Sequence, residues 1–240
     1  MSDMIKIGGL QKTTLIDYPG KVACTIFLSG CNFRCPFCYN AEMVLPEKIK
    51  RQPVIPEKEV FAFLKDRQGL LEAVCITGGE PTINADLPVF IRKIKKLGYL
   101  VKLDTNGSNP VMLKKLIAQK LVDYVAMDIK APLGGKSPNA YKDATGGKAN
   151  IEKIKKSIEI IKQSGVDYEF RTTVVPGIHE KEDILELARM IAPAKKFFLQ
   201  NFRQGKNLNA GLEKVAPYPG EFLVELRNAI AFLFDDCRTR

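Results

Sequence analysis

Residues 22–40 read VACTIFLSGCNFRCPFCYN: an apolar run that stops at a serine and a glycine and passes straight into three closely spaced cysteines. A short continuous run of β-branched and aliphatic side chains is how a parallel strand buried on both faces reads in sequence. Working outward from it, comparable runs follow at 73–77, 99–104, 123–129, 168–175 and 196–201. Between them lie segments of helical spacing. Leu87, Phe90, Ile91, Ile94 and Leu97 form one apolar stripe, and Ile151, Ile154, Ile158 and Ile161 another, each burying one face. Boundary residues agree, with Asn109 as an N-cap before Pro110, and Gly98 and Gly165 just past helix ends. Six strand–helix units predict an α/β fold, a partial (β/α)6 TIM-like barrel of parallel strands rather than the eight units of a closed barrel. The chain is expected to form a single domain over 1–240, with no internal repeat beyond this unit and no linker.

In such folds the working residues gather at the C-terminal ends of the strands. The unusual polar and glycine clusters should therefore follow the apolar runs directly, and they do. The first run leads into SGCNFRCPFCYN (29–40) and the second into GGEP (78–81), while DTNG (104–107) and DIK (128–130) close the third and fourth. RTTVVPG (171–177) and QNF (200–202) close the last two. The stretch 131–150 is rich in Gly, Pro and polar residues and reads as a long loop on the same face, able to cover a site.

With 240 residues, 45% hydrophobic and 27% charged, the chain can bury a full core. No stretch approaches the run of about 20 apolar residues that a bilayer span requires, and the N-terminus lacks the apolar segment of a signal peptide. A cytoplasmic protein with no membrane partner is expected. Six cysteines in such a chain point to metal or redox work rather than disulfides. The net charge of +10 could draw an anionic partner. Lys93, Lys95, Lys96, Lys114, Lys115, Lys153, Lys155 and Lys156 all fall on expected helices, however, and read as solvated outer faces rather than a nucleic-acid stripe.

Cys31, Cys35 and Cys38, spaced C-x3-C-x2-C in one loop, can reach three corners of an iron–sulfur cubane and leave the fourth iron open for a substrate. Asn32, Phe33, Arg34, Pro36 and Phe37 between them are bulky enough to shield it. Cys24 and Cys75 fall inside strands and read as core residues. Zinc normally wants a second cysteine pair, which is absent here, and the only histidine is His179. A zinc site, or a four-cysteine electron carrier completed by Cys24 or Cys237, stays open on these residues alone.

The segment GCNFRCPFC is similar to the signature of the radical S-adenosylmethionine superfamily, C-x3-C-x-aromatic-C, with Phe37 in the aromatic place. TGGEP (77–81) resembles the family's glycine–glycine–glutamate motif, which binds the amino group of the cofactor's methionine moiety. The opening stretch 8–40 is similar to the activating proteins of anaerobic ribonucleoside-triphosphate reductase. DTNG, DIK and VVPG further resemble the pyruvate formate-lyase activating enzyme, a relative.

This resemblance implies a radical SAM core with a 4Fe-4S cluster on Cys31, Cys35 and Cys38, and S-adenosyl-L-methionine bound at the open iron. It implies reductive cleavage to a 5′-deoxyadenosyl radical, which takes a hydrogen from a backbone glycine of a partner glycyl radical enzyme. Phe37, Gly78, Gly79, Glu80, Asp104 and Lys130 are the cofactor-binding positions it implies, with Asp104, Thr105 and Asp128 holding a monovalent cation. A flavodoxin or ferredoxin would supply the electron, and an acidic one suits the positive charge. Action on another glycyl radical partner or on a small molecule is the neighbouring alternative. Two positions depart from the relatives. Phe202 stands where a histidine is usual, leaving Gln200 or Asn201 as the polar contact, and the run after Cys35 ends Phe37-Cys38-Tyr39-Asn40 instead of Tyr-Cys-His-Asn. Taken singly, GGE could be a plain turn, Asp104 a cap, Lys130 a solvated lysine, and Arg171 either an inward cofactor contact or a structural ion pair. His179 is expected to begin a helix and carries no assigned role.

Overall fold

The computed structural model describes residues 5–135 and 138–240. Its strands are β1 (Ile7–Thr14), β2 (Ala23–Leu28), β3 (Ala73–Gly78), β4 (Leu100–Thr105), β5 (Tyr124–Asp128), β6 (Asp167–Val174), β7 (Ala194–Asn201) and β8 (Phe234–Thr239). The helices are α1 (Ala41–Val44), α2 (Pro46–Ile49), α3 (Glu57–Asp66), α4 (Leu87–Lys96), α5 (Pro110–Ala118), α6 (Ala140–Ala144), α7 (Ile151–Gln163), α8 (Lys181–Ile191) and α9 (Gly220–Ile230). All strands join one sheet in sequence order, parallel throughout except that β1 runs antiparallel to β2.

The six expected strands are β2 to β7, and the sheet is α/β, parallel and unclosed, as the periodicity indicates. Two edge strands extend it. β1 escapes a reading by period because Gly8 and Gly9 carry no side chains and two register shifts break its alternation against β2. β8, FDDCRT, is a half-exposed edge strand whose polar residues give no buried-strand pattern. The stretch 131–150, expected as loop, contains the short α6, whose Tyr141 and Ala144 are fully buried. Lys136 and Ser137, which belong to that stretch, lie outside the described residues.

Strand alternation divides the sheet into two faces. On one, Cys24, Ile26, Val74, Ile76, Val101, Leu103, Val125 and Phe170 pack against Leu64 of α3, Ile91 and Ile94 of α4, Leu116 of α5, Ile158 of α7 and Leu187 of α8. On the other, Ala23, Ala73, Cys75, Tyr124 and Ala126 gather with Tyr18 in a small cluster towards the strands' N-terminal ends. Truncating a buried residue such as Ile94 to alanine would cost about 2–5 kcal/mol. Asn109 caps α5 through Met112 N, and Gly98 and Gly165 take positive φ (90° and 73°) after α4 and α7. The lysines of α4, α5 and α7 are exposed, apart from the half-buried Lys95, which is paired with Asp123, and the half-buried Lys162. Among the described residues no helix is long and apolar enough to cross a membrane.

Candidate active site

The strand ends of β3 to β7 and the loop after β2 line one cavity of about 250 Å³. Its frame is a close backbone approach between the ends of β2 and β3. Gly79 N donates to Leu28 O (2.8 Å) and Glu80 N to Gly30 O (2.8 Å). A Cβ at Gly79 would lie 1.9 Å from Gly30 O, and one at Gly78 (φ +112°) would lie 2.5 Å from the Leu28 backbone. No side chain fits at either position, so the two glycines weld the cysteine loop to the glutamate that follows them. Asn40 adds a hydrogen bond from Nδ2 to Gly78 O (3.1 Å).

Cys31, Cys35 and Cys38 all line this cavity, with Phe33 and Phe37 buried between them. Two other segments hold the loop's backbone through three hydrogen bonds. Arg34 N donates to Thr145 O (3.0 Å), Leu208 N to Cys38 O (3.1 Å) and Asn209 N to Pro36 O (2.9 Å). Burial pushes the Cys31 thiol up to about 12 and the Cys35 thiol up to about 11, and raises Cys38 as well. Lys130 works against the rise at Cys35 and Cys38. Among the described residues no three His, Cys, Asp or Glu side chains converge as ligands of a single ion. Three soft sulfurs on the wall of one partly closed cavity are instead a donor set that fits an iron–sulfur cluster.

Glu80 is 1% exposed and serves as the hydrogen-bond hub of the site. Its Oε1 accepts from Thr82 N (3.0 Å), Thr82 Oγ1 (2.5 Å) and Thr105 Oγ1 (2.7 Å), and its Oε2 from Asn106 N (2.6 Å). The carboxylate therefore caps the 3-10 turn Pro81–Ile83 and ties β3 to β4. Oε1 is saturated, while Oε2 keeps a free lone pair at which an ammonium could be received. Burial raises its pKa despite these donors.

Asp104 and Asp128 face the cavity from β4 and β5, with Arg171 of β6 between them. Arg171 Nε donates to Asp128 Oδ1 (2.9 Å) and its Nη1 to Asp104 Oδ2 (3.3 Å). Asp104 also pairs with the buried Lys102, and Asp128 Oδ2 with Lys130 Nζ (3.2 Å). Burial opposes both negative charges, but Arg171 and the lysines outweigh it, holding Asp104 below its ordinary range and Asp128 down at about 2. Asp104, Thr105 and Asp128 thus come together without forming an open cation site. The guanidinium bridges the two carboxylates, and Thr105 is committed to Glu80.

Lys130 is held on both ends. Its ammonium lies 5.9 Å from the centre of the Phe37 ring, and its carbonyl accepts from His179 Nε2 (2.7 Å). His179 is fully buried, accepts Val175 N at Nδ1 (3.0 Å), and precedes α8, whose N-cap is Glu180. Gln200 and Thr173 line the cavity, whereas Asn201 turns away to donate to Tyr218 O (2.8 Å). Of the two polar candidates Gln200 and Asn201, Gln200 is the one whose side chain lines the cavity. Phe202 is buried and stacks on Tyr39, 6.0 Å between centroids. Lys102 escaped a reading by motif, and Asn106, though part of DTNG, was given no role of its own. A lysine inside an apolar strand is the one signal that could have pointed to the former.

A family model described as the Radical SAM superfamily matches residues 25–191. A provisionally named glycyl-radical enzyme activating enzyme of Methanocaldococcus jannaschii is 36% identical over 217 residues, covering 90% of this chain and 87% of that protein. The GTP 3′,8-cyclase of Aliarcobacter butzleri is 30% identical over 75% of this chain and 57% of its own length. Among solved structures, SuiB of Streptococcus suis bound to S-adenosylmethionine superposes with a TM-score of 0.62 at 16% identity, over 88% of this chain and 51% of that one. The family implies S-adenosylmethionine and a 4Fe-4S cluster, and the cavity offers a donor set for both. On the matched residues and the relative alike, the chain belongs to the Radical SAM superfamily.

Proposed function

We propose that this chain is an activating enzyme that cleaves S-adenosylmethionine reductively and generates a glycyl radical on a partner enzyme, anaerobic ribonucleoside-triphosphate reductase. The observation that carries the reading is one cavity in which Cys31, Cys35 and Cys38 face Glu80 and Lys130. The likeness over 90% of the chain to a protein named as a glycyl-radical enzyme activating enzyme supports the activating role. The continuous sheet supports treating 1–240 as one domain, and a cytoplasmic location goes with the reading.

Cys31, Cys35 and Cys38 hold the cluster. When bound, cluster and cofactor together supply the one-electron cleavage and the radical that abstracts hydrogen. Glu80, whose Oε2 accepts a single bond, would receive the methionine ammonium, and Lys130 with Arg171 would offer positive charge to the carboxylate. Phe33 and Phe37 exclude water from the cluster side, and Asp104 and Asp128 hold Arg171 in place. No monovalent cation is assigned, because Arg171 already bridges the two carboxylates. The chemistry needs no general acid–base pair, in keeping with a histidine buried in a backbone contact.

The loop that clamps Pro36 and Cys38 exposes Arg203, Lys206 and Lys214, which suits an acidic flavodoxin or ferredoxin as electron donor. Donor binding that does not weaken with salt would contradict that part of the reading. Anaerobic incubation of the reduced holoenzyme with S-adenosylmethionine and the ribonucleotide reductase tests the main part. A glycyl radical signal on the partner is expected. Cofactor cleavage without a radical on any glycyl radical enzyme would favour a small-molecule substrate, the direction in which the GTP 3′,8-cyclase relatives point.

A further inference from the structure

Asn106, in the DTNG stretch, directly follows β4 and is 7% exposed. Its Oδ1 accepts from Ser108 N (2.9 Å), a local turn contact that also fixes which way the amide faces. The amide nitrogen must then point the other way, and its two hydrogens have two acceptors. Asn32 Oδ1 lies 3.0 Å from Nδ2, and Cys31 Sγ lies at 4.0 Å, the outer limit for a sulfur acceptor. The same sulfur accepts from Phe33 N at 3.4 Å. Through its backbone, Asn106 donates to Glu80 Oε2 at 2.6 Å. One residue therefore touches a cysteine sulfur, the cysteine loop and the buried carboxylate. The turn contact at Oδ1 thus turns Nδ2 towards Asn32 and the Cys31 sulfur.

We propose that Asn106 is a positioning residue that sets the reduction potential of the cluster through an amide hydrogen bond to the Cys31 sulfur. The inference rests on the reading of Cys31 as a cluster ligand. Reduction adds one electron, taken from the external donor, and the extra negative charge spreads onto the coordinating sulfurs without any bond being made or broken. An N–H pointed at one of them stabilises the reduced form more than the oxidised form, and hydrogen bonds to sulfur are one of the protein's levers on cluster potential.

The test is a dithionite titration of anaerobically reconstituted protein followed by electron paramagnetic resonance, without S-adenosylmethionine, alongside iron content. Asn106→Ala should keep its iron and shift the reduction equilibrium about tenfold towards the oxidised form, about 59 mV more negative for one electron. Asn106→Asp keeps the size and the acceptor for Ser108 N but turns a carboxylate oxygen to the sulfur, and should shift it further. Ser108→Ala removes the Asn32–Ser108 bond of the same turn (2.8 Å) and leaves the Asn106 amide in place, so its potential should match the wild type. An unchanged potential in an iron-replete Asn106→Ala would overturn the proposal. So would an equal shift in Ser108→Ala, or loss of iron from both Asn106 variants, since either makes the residue a scaffold only. A wild-type chain that takes up no iron would overturn the ligand assignment, and the inference with it.

Discussion

Cys24 and Cys75 sit in strands, and Cys31, Cys35 and Cys38 in the loop that follows one of those strands, yet burial alone does not separate the two groups. It pushes Cys24 up to about 12, the same as Cys31. Their company differs. Cys24 packs among aliphatic side chains beneath the helices, and Cys75 beside Tyr18 and Tyr124 on the inner face, with their space filled. The loop cysteines share a cavity with Lys130 and Glu80, on a backbone pinned by Thr145, Leu208 and Asn209. A thiol buried in packing is inert, and one buried against open space with a cation nearby can exchange its proton for a metal.

The largest effect that would break this contrast comes from Cys35→Ala, which should abolish cluster assembly and cofactor cleavage together, because two thiolates cannot hold the cubane. Retained cleavage would show that the three cysteines are not the ligand set. Glu80→Gln should keep the cluster but set an NH2 group against one of the donors that the carboxylate now receives. A loss of about 1–3 kcal/mol in thermal unfolding is expected, with weaker S-adenosylmethionine binding. Unchanged melting and unchanged affinity would remove Glu80 from its central place. Cys75→Ala sharpens the other side of the comparison: about 1 kcal/mol of stability should go while iron content and cleavage stay at wild-type levels.

The smallest effect concerns His179. Burial lowers its pKa below the ordinary 6.5. A base whose folded pKa lies below its unfolded value contributes stability in full above about 6.5, and that stability is lost as pH falls through the folded value. Denaturation midpoints should therefore decline between pH 7.5 and 5.5, by less in His179→Gln, which takes up no proton. Equal declines in both would place the titration elsewhere.

The strands β2 to β7 were legible because each is buried on both faces and carries its polar cluster at one end. β1 and β8 were not, since an edge strand with glycines or charges is defined by its neighbour rather than by its own period. The cysteines and Gly78–Gly79 could be read from local spacing, as ligand geometry and close backbone approach are local demands. Arg171, Lys102 and Asn106 act through partners 2 to 75 positions away, and such contacts leave no mark on sequence spacing. Glu80 was legible as a residue, but not its burial under four hydrogen bonds, two from Thr82 and two from Thr105 and Asn106 of the distant DTNG stretch.

The proposed chemistry requires an open iron at Cys31, Cys35 and Cys38. The measurement is the electron paramagnetic resonance spectrum of anaerobically reconstituted, dithionite-reduced protein, with and without S-adenosylmethionine, with an assay for 5′-deoxyadenosine in the same samples. A spectrum that shifts on adding the cofactor, together with 5′-deoxyadenosine, is the predicted result. A cluster spectrum that the cofactor leaves unchanged, with no product, would contradict it and make the chain an electron carrier.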